Sequence, residues 1–196
     1  MTAVFVEDGV DKGAIWHFGE PNKEQKALVA GTAWADLSHL NVIAVSGADR
    51  LKWLHDLTTQ HLSELGAGQW TSALILDAQG HVEYQFNLVD DGDTTWLVID
   101  PGYIETLIAY LQKMKFMLRV DVRDASSEYV VLRAPGLVNE IGGPFALVPR
   151  AELAEMQETF GATAMQVGTW ALDAERVAAG RPRIGFETDH KSIPNE

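Results

Sequence analysis

The sequence predicts an α+β fold, antiparallel sheets covered by helices, and three observations carry that prediction. Val82, Tyr84, Phe86 and Leu88 alternate strictly with His81, Glu83, Gln85 and Asn87, the period of a half-buried strand. Ile104, Leu107, Ile108 and Leu111 stand at i, i+3, i+4 and i+7, the period of an amphipathic helix. The elements follow the order strand, helix, three strands, helix, two strands. Antiparallel runs interrupted by helices differ from the regular βα alternation of a nucleotide-binding parallel sheet.

The first forty residues show weak periodicity and read as loops, with a short helix near Gly31–Leu37. Val42–Val45 is a buried-strand run that stops at Ser46-Gly47. Ser46 and Asp49 have the spacing of a capping box, and Leu51, Leu54 and Leu57, with Trp53 beside them, give the helix that follows an apolar face. Asp77-Ala78-Gln79-Gly80 is a turn between Trp70–Leu76 and the alternating strand, hence a hairpin. A second turn, Asp90-Asp91-Gly92-Asp93, leads into a third strand, Thr95–Ile99. Its three carboxylates read as solvated and ionised.

Asp100-Pro101 is read as the start of the next helix, Asp at the N-cap and Pro at the first helical position. Strands follow at Arg119–Val122 and Tyr129–Leu132. Ala134–Pro149, with Pro135, Gly136, Gly142, Gly143, Pro144 and Pro149, reads as a loop-rich connection between two subdomains, 1–134 and 135–196. Helices then fit Ala151–Phe160 and Thr169–Ala179, the second stopped by Gly180 and Pro182.

Composition bounds the chemistry. The chain has 196 residues, 28 Asp plus Glu against 15 Lys plus Arg and a formal charge of −13, so direct binding to a nucleic-acid backbone is disfavoured. Lys113, Lys115, Arg119 and Arg123 form the one local basic stretch, read as a solvated helix end. There is no cysteine, which removes disulfides, thiolate metal sites and thiol nucleophiles from these residues. No apolar run suits a signal peptide or a membrane span, and the chain reads as cytoplasmic.

No two of the six histidines stand at the i, i+4 spacing of a helical metal site. His55 and Asp56 sit beside Thr58 and Thr59 but point in different directions on a helix, so they make no triad. Nucleotide-loop and hydrolase motifs are missing. The tryptophans are read as core.

A resemblance adds function. Val45-Ser46-Gly47-Ala48-Asp49-Arg50-Leu51 through Thr59, then Gly68–Leu76 and Asp77-Ala78-Gln79-Gly80, resembles the opening of the folate-binding domain shared by glycine-cleavage T-protein and the YgfZ family. Glu175–Glu187 resembles the family's later helix ending R-x-x-x-G-x-P, and Ser192-Ile193-Pro194-Asn195-Glu196 resembles the I-P-x-E that follows it in YgfZ-type members. The resemblance implies subdomains arranged around a channel that holds tetrahydrofolate. It also implies that the chain is the N-terminal part of a longer protein, or a natural short form, lacking the family's C-terminal barrel and reactive cysteine.

Two departures separate the branches. The T-protein branch has an aspartate in G-x-x-x-D-D that assists methylene transfer; Tyr84 and Gln85 stand there, and neither serves as a carboxylate base. Its R-L-E-A-G glutamate, which holds the pterin, is Ala178 here. Both favour the YgfZ-type reading: a non-enzymatic folate-binding scaffold supporting iron–sulfur protein assembly or repair, and through client proteins tRNA modification. Tyr84, Arg176, Arg183 and Glu187 are the folate-binding candidates that alignment to the motifs implies, with no catalytic or metal residue. Arg176 and Arg183 would meet the glutamate tail or pair with Asp173 and Glu187. The alternatives are a folate-dependent one-carbon transferase using Asp77 or Glu83, and a purely structural interaction module.

Overall fold

The computed structural model describes residues 2–136 and 145–194. In chain order the elements are β1 (Val4–Phe5), β2 (Ile15–His17), α1 (Pro21–Val29), β3 (Ala33–Asp36), β4 (Asn41–Ser46), α2 (Arg50–Leu57), β5 (Trp70–Leu76), β6 (Val82–Asp90) and β7 (Thr94–Ile99). There follow α3 (Ile104–Met114), β8 (Asp121–Asp124), β9 (Tyr129–Arg133), β10 (Phe145–Pro149), α4 (Leu153–Thr163), β11 (Met165–Gln166) and α5 (Thr169–Ala178). They fall into two compact units, each assembled from separated segments. Residues 2–40, 127–136 and 145–182 make the first, and 41–126 and 183–194 the second. Among the described residues no helix is long and apolar enough to cross a membrane.

The second unit is a five-stranded antiparallel sheet in the order β5-β6-β7-β4-β8. The expected hairpin forms, with Trp70 opposite Val89 and Ile75 opposite Tyr84. Strand alternation sends Ile43, Val45, Ala73, Ile75, Phe86, Leu88, Leu97 and Ile99 to one face, where Trp53 and Leu54 of α2 and Leu107 and Leu111 of α3 close the core.

Four local readings are corrected in this unit. Ser46 ends β4 instead of capping α2, and the Asp49 carboxylate makes no cap bond because it is held by the Arg119 side chain at 2.6 and 3.0 Å. Asp100 does not cap α3, which begins at Ile104 after Tyr103; its carboxylate is taken by Arg183. Asp90 is not solvated. It is 2% exposed, and Arg50 binds both its oxygens at 2.8 and 2.7 Å. The strand expected at Arg119–Val122 forms two residues later, as β8. Gly47 explains the abrupt passage from β4 to α2. Its φ is +111°, and a Cβ there would lie 2.1 Å from the Arg119 carbonyl oxygen.

The first unit is built on a four-stranded sheet, β10-β9-β3-β11, in which β11 joins β3 in parallel and the other neighbours are antiparallel. The helix expected near Gly31–Leu37 is strand β3. Ala33, Trp34 and Ala35 are all buried there, and pairing with β9 and β11 overrides their helical propensity. The helix lies upstream as α1, entered by Pro21 and burying only Glu24 and Leu28, which is why its sequence looks like a polar loop.

The connection expected at Ala134–Pro149 is in part a strand, since Phe145–Pro149 pairs with Tyr129–Arg133, and Pro149 sits at the end of an edge strand where its missing donor costs no ladder bond. Gly142, Gly143 and Pro144 lie outside the described residues. The last two helices form close to their expected positions, as α4 and α5. Gly180, at φ +63°, follows α5.

Candidate functional site

The β5–β6 hairpin turn is organised by Asp77. Its carboxylate accepts the Gln79 and His81 backbone N–H groups at 2.8 Å each and lies 3.0 Å from the His81 ring. Partial burial works against the charge, but the hydrogen bonds from His81 and Gln79 outweigh it and hold the carboxyl below its ordinary value. Asp77 is therefore an ionised turn-former with its acceptor capacity already engaged.

On β6, Tyr84 and Gln85 point to opposite faces. Tyr84 packs on the core side with its ring 5.9 Å from that of Tyr110. Burial, together with Glu83 and Tyr84, pushes the Tyr110 phenol up from its ordinary value. Gln85 faces the other way and accepts the Ile184 N–H at 3.0 Å. Residues 183–194 run beside β6, and Val82 N–H donates to the Ser192 carbonyl at 2.9 Å. Ser192, Ile193 and Pro194 of the I-P-x-E resemblance belong to this segment; Asn195 and Glu196 lie outside the described residues.

Arg183 is anchored by a two-point bond to Asp100, at 3.0 and 2.5 Å, and its guanidinium lies 4.9 Å from the centre of the Phe186 ring. The Glu187 carboxylate accepts the Arg183 backbone N–H at 3.1 Å. One turn of chain thus presents an exposed aromatic face at Phe186 beside an exposed carboxylate at Glu187, both fastened to the sheet through Ile184 and Arg183. Tyr84, Arg183 and Glu187 all lie in the second unit, but Tyr84 is on the opposite face of β6 from the Gln85 side chain that meets this turn.

Arg176, the remaining candidate, belongs to the first unit. It sits 3.2 Å from Asp173 and donates to the Arg181 carbonyl at 2.9 Å. Ala178 closes α5 and is exposed. Sequence reasoning passed over Arg133, which is 3% exposed and donates to Glu175 at 3.3 Å. Burial lowers its pKa, the Glu175 charge opposes that, and Arg181 adds to it.

A second polar group was also missed. Asp36 accepts the Ser38 N–H and hydroxyl and the Gln157 side-chain amide, while His39 lies 3.0 Å from the buried Asp11. The signal was present as Asp36-Leu37-Ser38-His39, since an aspartate two residues before a serine forms a local turn. A cleft of about 700 Å³ in the same unit is lined by Phe18, Trp34, Gln157 and Met165 among others, and holds none of the four candidates. Among the described residues no three His, Cys, Asp or Glu side chains group as metal ligands.

These features sit in a chain with identifiable relatives. Residues 3–137 match the family described as the GCVT N-terminal domain. The chain is 26% identical over 133 residues to an aminomethyltransferase of Synechococcus sp. (strain CC9311), covering 61% of this chain and 36% of that protein. It is equally similar, 26% over 132 residues, to the mitochondrial iron-sulfur cluster assembly factor IBA57 homolog of Mycosarcoma maydis, covering 60% of this chain and 33% of that one. The matched region is thus about a third of each curated relative. The crystal structure of glycine cleavage system aminomethyltransferase T from Bartonella henselae superposes with a TM-score of 0.80 at 18% identity, over 98% of this chain and 63% of that one, so the folds agree. With the family match covering more than half of its length, the chain belongs to the GCVT N-terminal domain family.

Proposed function

We propose that the chain is a folate-binding scaffold of the YgfZ type that supports assembly or repair of iron–sulfur proteins, with any effect on tRNA modification exerted through its clients. The observation that carries this reading is the chemistry of β6. Where the transferase branch has its aspartate pair, Tyr84 is packed against Tyr110 and the Gln85 amide oxygen is committed to the Ile184 N–H. Neither group removes a proton near neutral pH. Similarity to the IBA57 homolog supports the assembly role.

Two side chains of the 183–194 segment support tetrahydrofolate as the ligand. A pterin offers a flat ring and a row of N–H donors, and Phe186 and Glu187 supply an exposed aromatic face and a carboxylate acceptor on one anchored turn. Glu187 thereby takes the part that Ala178 cannot. Arg183, held by Asp100, keeps the turn in place. Calorimetry with tetrahydrofolate tests this. Heat of binding is expected for the chain, with affinity about tenfold weaker in Glu187→Gln, the loss of roughly one charge-assisted hydrogen bond. No heat removes the ligand from the proposal.

Similarity to the Synechococcus aminomethyltransferase favours a second reading, folate-dependent one-carbon transfer. It would need Asp77 or Glu83 as its carboxylate. A methylene-transfer assay separates the two, because turnover abolished by Asp77→Asn or Glu83→Gln would establish an enzyme in place of a scaffold.

A further inference from the structure

The passage from α3 to β8 displays apolar side chains that the fold does not use. Phe116 and Met117 are 87% and 86% exposed, and Met114 and Leu118 beside them are also exposed. Four large exposed apolar side chains thus stand within five residues of chain, unlike the singly scattered hydrophobic residues of an ordinary surface. Phe116 also has φ +44°, and is the described non-glycine residue with positive φ. It directly follows the Lys115 C-cap of α3, a position that helices commonly give to glycine because a Cβ is crowded there. The backbone is strained at the point where the largest side chain is turned outward.

The loop is nevertheless fastened at both ends. The Trp53 indole donates to the Met114 carbonyl at 3.3 Å, and Asp49 binds the Arg119 backbone N–H and guanidinium at 2.6 to 3.0 Å. Leu118 N–H closes onto the Lys115 carbonyl at 2.9 Å. These bonds fasten the backbone on both sides of Phe116 and Met117, which lowers the ordering cost of meeting a partner. Its setting is cationic. Within residues 113–123 Lys113, Lys115, Arg119 and Arg123 outnumber Asp121, and with Arg119 paired to Asp49 it is Lys113 and Lys115 that bring positive charge beside the tip.

We propose that this loop is a protein-docking surface whose occupant is an acidic segment of a partner protein bearing aromatic or aliphatic anchors. Its anchors would pack on Phe116 and Met117 while its carboxylates meet Lys113 and Lys115. Charge complementarity selects an acidic occupant, and a rigid tip with an adaptable methionine suits a protein surface. None of the residues assigned to folate takes part, so the proposal stands or falls separately from that reading.

The test uses a phage-displayed library of random twelve-residue peptides selected on the whole chain. Enriched peptides should combine Asp or Glu with aromatic or aliphatic residues and move the Met117 methyl resonance in a ¹³C-methyl spectrum. They should bind Met117→Asp at least tenfold more weakly and lose affinity as salt rises. Phe116→Gly, which removes the anchor while relieving the backbone, should weaken binding severalfold and keep the melting temperature at or above that of the parent. Peptides without acidic enrichment, or bound equally by both variants, overturn the proposal. Two further results also overturn it: binding to phosphatidylcholine–phosphatidylserine (3:1) vesicles that is lost in Met117→Asp, which assigns the tip to a bilayer, and self-association lost in the same variant, which assigns it to a second copy of the chain.

Discussion

The two units solve the problem of holding short elements together in different ways. The second unit relies on continuous alternation. Five strands of four to nine residues pair in sequence-neighbour hairpins and closures, and an apolar face packs under two helices. The first unit has strands of two to five residues gathered from distant parts of the chain, and small apolar clusters such as Leu28, Ala33, Ala35, Val167 and Ala171. There, buried polar groups act as fasteners. Glu24 is 1% exposed, and its carboxylate accepts the Phe18 N–H at 2.7 Å and the Gly168 N–H at 3.0 Å, joining α1 to two segments nearly the length of the unit apart in sequence. Short strands cannot specify their own register by hydrophobic pattern, so directional bonds take over that task.

Two truncations put this contrast to the test. Phe86→Ala in the second unit removes a fully buried ring from the sheet–helix core and is expected to cost about 4 kcal/mol. Glu24→Ala in the first unit removes no ring, yet it orphans two backbone donors and is expected to cost about 3 kcal/mol. Chemical denaturation gives the totals, and amide exchange resolved by segment should show the loss within β5–β7 for the first variant and around Phe18 and Gly168 for the second. Glu24→Ala costing under about 1 kcal/mol would mean that apolar packing suffices in both units.

The second unit has a buried ion pair as well, Arg50 with Asp90, and it sharpens the contrast through pH. Burial raises the Asp90 pKa, but the bonds from Arg50, Thr95 and the Gly92 N–H outweigh it, so the folded value lies below the ordinary one. A carboxyl whose folded pKa is depressed contributes its full stabilisation above the unfolded value of roughly 4 and loses it as pH falls through the folded value. Acid should therefore weaken the second unit from about pH 4 downward. Asp90→Asn should lower stability at pH 7 by about 3 kcal/mol, because Arg50 is left buried without its anion, and should flatten the acid limb of the stability curve. An unchanged acid limb would place the titration elsewhere.

The same contrast explains what could be read in advance. The β5–β6–β7 run and α3 were legible because each is a contiguous pattern with turn residues at its ends, and their core residues are adjacent in the pattern. β3 and β10 were not, since Ala33–Asp36 and Phe145–Pro149 become strands only through partners up to 132 residues away. Capping aspartates misled for a related reason. Asp49 and Asp100 stand where a helix could use them, but Arg119 and Arg183, 70 and 83 residues later, offer a charged partner instead. At the candidate site, motif alignment pointed to Arg183 and Glu187. It could not reveal that Gln85 and Asp100 tie their turn to the sheet, because those bonds span 99 and 83 residues.

A last substitution compares two phenylalanines of the second unit. Phe86 is buried and its removal destabilises; Phe116 is 87% exposed with φ +44°, so its removal forfeits almost no packing. Left-handed backbone costs a residue with a Cβ about 1 kcal/mol. Glycine at this position relieves that strain but gives back roughly half of it through the greater freedom of the unfolded chain. Phe116→Gly should thus stabilise by about 0.5 kcal/mol, raising Tm by roughly 1 to 2 °C. Phe116→Asn, which tolerates the left-handed region without glycine's entropy, should gain slightly more. Thermal unfolding of both variants beside Phe86→Ala checks the sign. If both replacements stabilise, Phe116 occupies its place against the interest of the fold, and its outward ring has to be explained by what it meets.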